Sequence, residues 1–258
     1  DSAVEFAKAI EVFNSDRKDL DKKITVEALS QIMENDEENK FSTVVFQEDW
    51  HKGVIGIVAS RLTETYYRPT LVFTKSGEKL AASARSVKDF DVYEALEECT
   101  EFIEQFGGHK YAAGLTLLPE NYENFKNKFE EVVAKSIDKE LLTPEILIDA
   151  EIDLESINPK LIRLLNQFEP FGPENMTPVF LTKKVIDTGY GKTIGQSDEH
   201  LKLFVKQNNS EGYGVIGFGL GNKLERIKDK NPFDLVYCID ENEFNGNVTV
   251  QLRAKDLA

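Results

Sequence analysis

Apolar residues recur at helical spacing from the start of the chain: Val4, Ala7, Val12, Leu20, Ile24, Ala28, Leu29 and Ile32, with no Pro or Gly among them. This spacing predicts helix over residues 2–34. Asn14-Ser15-Asp16 is a run of side chains that compete for backbone hydrogen bonds, and it predicts a break into two helices. The segment has too little apolar surface to fold alone, so residues 1–40 read as connector helices from something upstream. Strand and helix patterns then alternate over residues 41–142. FSTVVFQED reads as a strand, Gly53 to Tyr67 as a helix, and TLVFTK and KLAASARS as strands around the turn Ser76-Gly77. Asp91 caps a further predicted helix, striped by Val92, Leu96, Cys99, Ile103 and Phe106 and ended by Gly107-Gly108. YAAGLTLL is a strand, and Tyr122, Phe125, Phe129, Val132 and Val133 stripe a last helix. The alternation predicts an α/β domain with a mixed sheet.

A boundary falls near Thr143-Pro144. Residues 143–258 carry a short helix around Lys160 to Phe168, a Pro- and Gly-rich loop EPFGPENMTP, and then strands separated by turns. About five such strands predict a small closed β-barrel.

Composition narrows the setting. The hydrophobic share of 41% supports a sizeable core, and no apolar run approaches the roughly 20 residues that span a bilayer. The start DSAVEFAKAI has neither an initiator Met nor a signal-peptide pattern, which suggests a piece of a longer protein. Cys99 and Cys238 are too few and too far apart for a disulfide framework or a zinc site, so a reducing cytoplasm is expected. The net charge of −15 argues against an indiscriminate phosphate binder, while leaving room for a local basic groove.

Three strings carry candidate chemistry. GGHKYAAG at 107–114 places two glycines before a strand, where backbone N–H groups and His109 could meet an anion. A helix C-cap followed by a surface histidine accounts for the same string. WHKGVIGIVASRL at 50–62 puts His51 and Lys52 beside a helix N-terminus, although His51 also reads as a plain loop side chain. KLAASARS places Ser83 and Arg85 on one strand face, where they suit a single phosphate.

In this order and spacing, WHKGVIGIVASRL, SARS and FGGHKYAAG resemble the DHH-associated domain of the DHH phosphoesterase superfamily, over roughly residues 42–118. LLNQFEPFGPENMTPVF, HLKLFVKQ and DENEFNGNVTVQLRAKDL resemble the oligonucleotide-binding (OB) domain that follows it in the RecJ family. The connector string FNSDRKDLDKKI is similar to the helix that joins catalytic and associated domains there. The resemblance implies the DNA-gripping part of a 5′→3′ single-stranded-DNA exonuclease of recombination and repair. It implies manganese or magnesium held by Asp and His motifs of an upstream catalytic domain. This chain has no such motif, so no cofactor or catalytic residue and no nuclease activity of its own are expected. The positions matching ligand-facing motifs are Ser83, Arg85, Gly107, Gly108 and His109, with Arg17 of the connector and His51 beside them; the implied role is a 5′-end pocket.

OB domains hold single strands through basic grooves and stacked aromatics. Lys183, Lys184, Lys192, Lys202, Lys206 and Arg253 are the candidate backbone contacts. Tyr190, Phe204, Tyr213 and Phe218 are the candidate stackers, although most aromatics in strands are core. The expected partner is single-stranded DNA, with a single-strand-binding protein as a further one and no membrane. The competing readings are a stand-alone single-strand or partner-binding module, and a relative acting on short oligonucleotides.

Overall fold

The computed structural model describes residues 2–208, 210–244 and 246–258. The chain divides into one compact unit up to Pro144 and a second from Glu145 onward.

The first unit opens with helix α1, Ser2–Glu34, unbroken. The break predicted at Asn14-Ser15-Asp16 does not occur, because the Asn14 side chain is engaged elsewhere. Its Oδ1 accepts from Arg17 Nη2 at 3.0 Å, one turn on. Ile24, Ala28 and Ile32 of α1 are buried. Then come β1 (Thr43–Phe46), α2 (Ile55–Tyr66), β2 (Thr70–Ser76), β3 (Lys79–Arg85), α3 (Val92–Glu97), β4 (Gln105–His109), β5 (Ala112–Leu117) and α4 (Tyr122–Ser136). The strands form one sheet in the order β1-β2-β3-β5-β4, with β1 and β2 parallel and the other pairs antiparallel. The mixed sheet is as predicted. Alternation sorts its residues to two sides. Leu71, Phe73, Leu80, Ala82, Ala84, Leu115 and Leu117 pack with Leu96, Phe125 and Phe129 of α3 and α4. Val45 and Val72 pack on the opposite side with Ile24 and Ala28 of α1 and Ile55, Val58 and Leu62 of α2.

The helix expected to run from Asp91 to Gly107 stops at Glu97. Asp91 does cap it, accepting from the Tyr93 and Glu94 N–H groups. Continued helix would bring Glu94, Glu97, Glu98, Glu101 and Glu104 together at spacings of three and four, where like charges destabilise. The chain turns through a short 3-10 segment at Thr100–Phe102 instead. Gly107 and Gly108 therefore lie inside β4, paired with Gly114 and Ala113, rather than at a helix end.

The second unit contains β6 (Ala150–Glu151), α5 (Pro159–Asn166), β7 (Phe180–Asp187), β8 (Lys192–Ile194), β9 (His200–Lys206), β10 (Tyr213–Gly217), β11 (Phe233–Phe244) and β12 (Asn247–Leu257). Its sheet runs β6-β7-β11-β12-β10-β9-β8, and a short β7–β9 pairing, Ile186 with Lys206 and Asp187 with Val205, joins five of the strands in a ring. Leu201, Leu203, Val205, Val215, Leu235, Tyr237 and Leu252 fill the interior. The buried Tyr237 hydroxyl pairs with Thr182 Oγ1 at 2.8 Å, which satisfies both polar atoms. Among the described residues no helix is long and apolar enough to cross a membrane.

Candidate nucleic-acid interface

In the first unit, strand register decides which side chains share a face. Ser83 pairs with Gly114, and Gly114 with Gly107; Arg85 pairs with Ala112, and Ala112 with His109. Ser83, Arg85, Gly107 and His109 thus lie on the α2 side in two rows across β3, β5 and β4. With strands about 4.8 Å apart, Arg85 and His109 stand roughly 10 Å apart across the rows. α2 packs on β2 and β3, and Gln105, Gly107, His109 and Gly114 are exposed. The result is a shallow groove of about 460 Å³ lined by Lys52, Ser83, Gln105 and Gly114 among others.

The same face of the sheet, beside this groove, is rich in donors. Arg85 Nη1 donates to the Ala84 carbonyl at 2.8 Å, and among the described residues no carboxylate pairs with this guanidinium. Its Nη2 and Ser83 Oγ lie 3.0 and 3.5 Å from where a Cβ on Gly56 would stand, so the glycine lets α2 settle onto this pair. His109 Nδ1 accepts the Tyr111 N–H at 3.3 Å, which leaves Nε2 as the ring's donor in the neutral form. His51, before α2, repeats the device through the Gly53 N–H at 3.1 Å.

The two glycines of β4 have different reasons. A Cβ at Gly108 would lie 2.3 Å from the Ala112 carbonyl oxygen, so the hairpin itself requires that glycine. At Gly107 nothing lies within 4 Å of such a Cβ, so the fold would accept a side chain there. Its bareness leaves this stretch of the sheet face flat and open. Arg17 is placed on α1, 3.9 Å from Asp21 Oδ2, which also receives Arg61 Nη2 at 2.7 Å.

In the second unit, β9 alternates strictly: Leu201, Leu203 and Val205 point inward, while Lys202, Phe204 and Lys206 are exposed. Lys192 pairs with Lys202 across β8. Tyr190, Lys192, Lys202 and Phe204 line one open groove of about 770 Å³ with Gly189, Gly191 and Gly214. Other candidates are engaged elsewhere. Lys183 lies 2.8 Å from Glu151, whose hydrogen bond raises the lysine's pKa. Arg253 Nε is 3.0 Å from Asp240 Oδ2, though out of hydrogen-bond alignment. Lys184 is exposed at an irregularity of β7, its N–H bonded to Asp234. Tyr213 is not a free stacker: its ring packs on the core and its hydroxyl donates to the Ile157 carbonyl. Phe218 is 60% exposed and meets His200 edge-on at 5.2 Å.

Family comparison agrees with this division. The DHHA1 domain matches residues 18–135 and the RecJ OB domain residues 148–256. The single-stranded-DNA-specific exonuclease RecJ of Bacillus subtilis is 32% identical over 99% of the chain. The chain belongs to the RecJ family. The RecJ of Haemophilus influenzae is 30% identical over 97% of the chain. The chain spans 32% and 45% of the length of these two relatives. The crystal structure of Thermus thermophilus RecJ in complex with Mn2+ has the same fold, with a TM-score of 0.78 at 24% identity over 97% of this chain and 35% of that one.

Among the described residues no three His, Cys, Asp or Glu side chains converge to hold a metal ion. Each histidine has one ring nitrogen engaged by a nearby N–H: His51 by Gly53, His109 by Tyr111 and His200 by Gly219. The described residues do not fit a two-metal centre.

Asp187 escaped the sequence reading. It lines neither of the two grooves described above, yet its carboxylate holds the loop that carries Tyr190. The string Asp187-Thr188-Gly189-Tyr190-Gly191, an acid followed by an aromatic between two glycines, is the signal that could have exposed it.

Proposed function

We propose that this chain is the strand-holding C-terminal part of a single-stranded-DNA-specific 5′→3′ exonuclease of DNA recombination and repair, working in the cytoplasm. Its catalytic domain, with Mn2+ or Mg2+, belongs to the rest of the full-length protein. In this reading the first unit takes the 5′ end: Arg85, Ser83 and His109 donate to the terminal phosphate over the Gly107 floor. The second unit then guides the strand along β9, with Lys192, Lys202 and Lys206 on phosphates and Tyr190 and Phe204 against bases. The carrying observation is that exposed aromatics share one groove with lysines that have no carboxylate partner among the described residues, on a chain of net charge −15.

The β9 groove is tested by salt titration of an oligo-dT. The chain should bind it with a Kd on the order of micromolar or weaker, near non-specific levels. Replacing Lys202 and Lys206 by Ala together should reduce the slope of log affinity against log salt by about 1.4, since each single-strand phosphate contact contributes roughly 0.7. An unchanged slope would place the strand elsewhere.

The Gly107 floor is tested by two neighbouring substitutions. Gly107→Ala should fold normally and weaken binding of a 5′-phosphorylated strand by the full-length protein about tenfold, because one methyl in a fitted pocket shifts binding by ~1–3 kcal/mol. Gly108→Ala should instead disturb the β4–β5 hairpin, given the overlap with Ala112 and Ala113. Circular dichroism separates the two effects, and full binding by Gly107→Ala would remove the floor from the site.

A further inference from the structure

Asp187 ends β7 as a buried carboxylate, 7% exposed. No cation pairs with it among the described residues; backbone N–H groups do. Oδ2 accepts from Gly189 at 2.8 Å and from Gly191 at 3.0 Å, and Oδ1 accepts from Phe204 at 3.2 Å. The next residue strengthens the tie, since the Thr188 N–H and Oγ1 both donate to the Phe204 carbonyl at 2.9 and 2.8 Å. One carboxylate therefore fixes the loop on both sides of Tyr190 and joins that loop to the strand position of Phe204.

The glycines fit this task. Gly189 has φ +98°, a conformation that L side chains rarely adopt. A Cβ on Gly191 would stand 3.1 Å from both Asp187 Oδ2 and Leu203 Cδ2, so a bare backbone lets the loop close over the acid. Tyr190, held between them, is 74% exposed. Across the groove the Phe204 ring lies over Gly212, where a Cβ would come within 2.2 Å of it. Both rings sit on backbone that is fixed before any ligand arrives, which lowers the ordering cost of binding.

We propose that Asp187 is a positioning residue that holds Tyr190 and Phe204 as a preformed stacking clamp for a base of a single strand. This rests on the β9 groove being the strand site. A carboxylate suits the task because two oxygens accept three N–H bonds; an amide would turn an NH2 group toward one set of donors. Its negative charge is buried and spent on the chain's own amides, so Asp187 acts through the loop and not by touching DNA.

The test is a double-mutant cycle on this chain with a fluorescein-labelled oligo-dT of about 16 nucleotides, the upper end of OB site sizes. Tyr190→Ala should weaken binding about tenfold, the scale of one lost base–aromatic stack. Asp187→Asn should weaken it at least as much, because it releases Phe204 as well, while the double variant should fall clearly short of the product of the two losses, the pattern of coupled residues. A merely structural role would leave the two losses multiplying to about a hundredfold or more, and that result overturns the proposal. Wild-type binding by Asp187→Asn also overturns it. No loss from Tyr190→Ala would instead overturn the groove reading, and the clamp with it. Amide hydrogen exchange of the DNA-free wild-type chain adds a readout that does not depend on the variants folding. The Gly189 and Gly191 amides should be protected; exchange at unprotected rates would show that the anchor does not exist in solution.

Discussion

Arg85→Ala should weaken binding of 5′-phosphorylated single-stranded DNA by the full-length protein about tenfold to a hundredfold, while leaving a 5′-hydroxyl strand nearly unaffected. The magnitude follows from a hydrogen bond to a charged group, which contributes roughly 1.5–3 kcal/mol. The selectivity follows from the donor set. Arg85, Ser83 Oγ and the free nitrogen of His109 offer donors around a glycine floor, and that suits a phosphate dianion better than a base edge. Arg85 is also the kind of cation whose loss should be felt. Arg17 and Arg61 share Asp21, and Lys183 and Arg253 have carboxylates of their own. Arg85 spends one nitrogen on the neighbouring Ala84 carbonyl and has no acidic partner among the described residues. The measurement compares both strands with wild type and Arg85→Ala at one fixed salt concentration, because phosphate contacts are screened. Equal losses for both strands would make Arg85 a general backbone contact and end its role as reader of the 5′ end.

What could be read from the sequence depended on how locally each feature is determined. Alternation in HLKLFVKQ predicts a strand with lysines on one face, and β9 has that pattern because period two needs only a covered side and an open side. The mixed sheet of the first unit follows equally from local periods. The stripe Val92, Leu96, Cys99, Ile103 and Phe106 misleads because its spacing is helical by coincidence. Phe106 belongs to β4 and faces Leu115 of β5. That pairing forms across the hairpin and leaves no trace in a short window, whereas the glutamate run that shortens the helix is visible in the sequence. The same reassignment changes the meaning of Gly107-Gly108, from a cap into an open strand position and the tight point of a β-hairpin. Arg85, Ser83 and His109 were each visible as candidates, but their common face depends on the register of three strands. Asp187 was missed because its partners are backbone N–H groups, which no side-chain pattern records.

Arg68→Ala should destabilise the first unit by about 3–5 kcal/mol, since buried acceptors left without a donor cost roughly 1–3 kcal/mol each. Arg68 is 2% exposed and follows Tyr67, whose positive φ ends α2. Its guanidinium donates to Thr43 Oγ1 at 2.7 Å and to the carbonyls of Glu38 at 2.7 Å, Lys40 at 2.6 Å and Glu37 at 2.9 Å. One planar fork thus holds the turn between α1 and β1, and it also lies over the Tyr66 ring at 4.7 Å. Burial pulls its pKa below the usual arginine value, while the charges of Glu130 and Glu37 oppose that shift; a guanidinium stays protonated throughout the physiological range. The turn has further supports. Glu37 receives Lys126 at 2.7 Å, and Glu130 accepts the Phe41 and Ser42 N–H groups at 2.9 and 2.8 Å. These remain in the variant, and the Glu37 carbonyl keeps the Lys40 N–H at 3.3 Å, but nothing there satisfies the Glu38 and Lys40 carbonyls that Arg68 leaves behind. Arg68→Lys should recover only part of the loss, since a point charge cannot reach three carbonyls and a hydroxyl in one plane. Trp50 is the chain's single tryptophan and lies in the buried cluster between α1, α2 and the sheet. Its emission therefore follows the unit that contains Arg68, without mixing in the unfolding of the second. A denaturant titration read at Trp50 should show the midpoint falling for Arg68→Ala with the slope little changed. A loss below about 1 kcal/mol, the net scale of one ordinary hydrogen bond, would mean that the turn holds without this arginine.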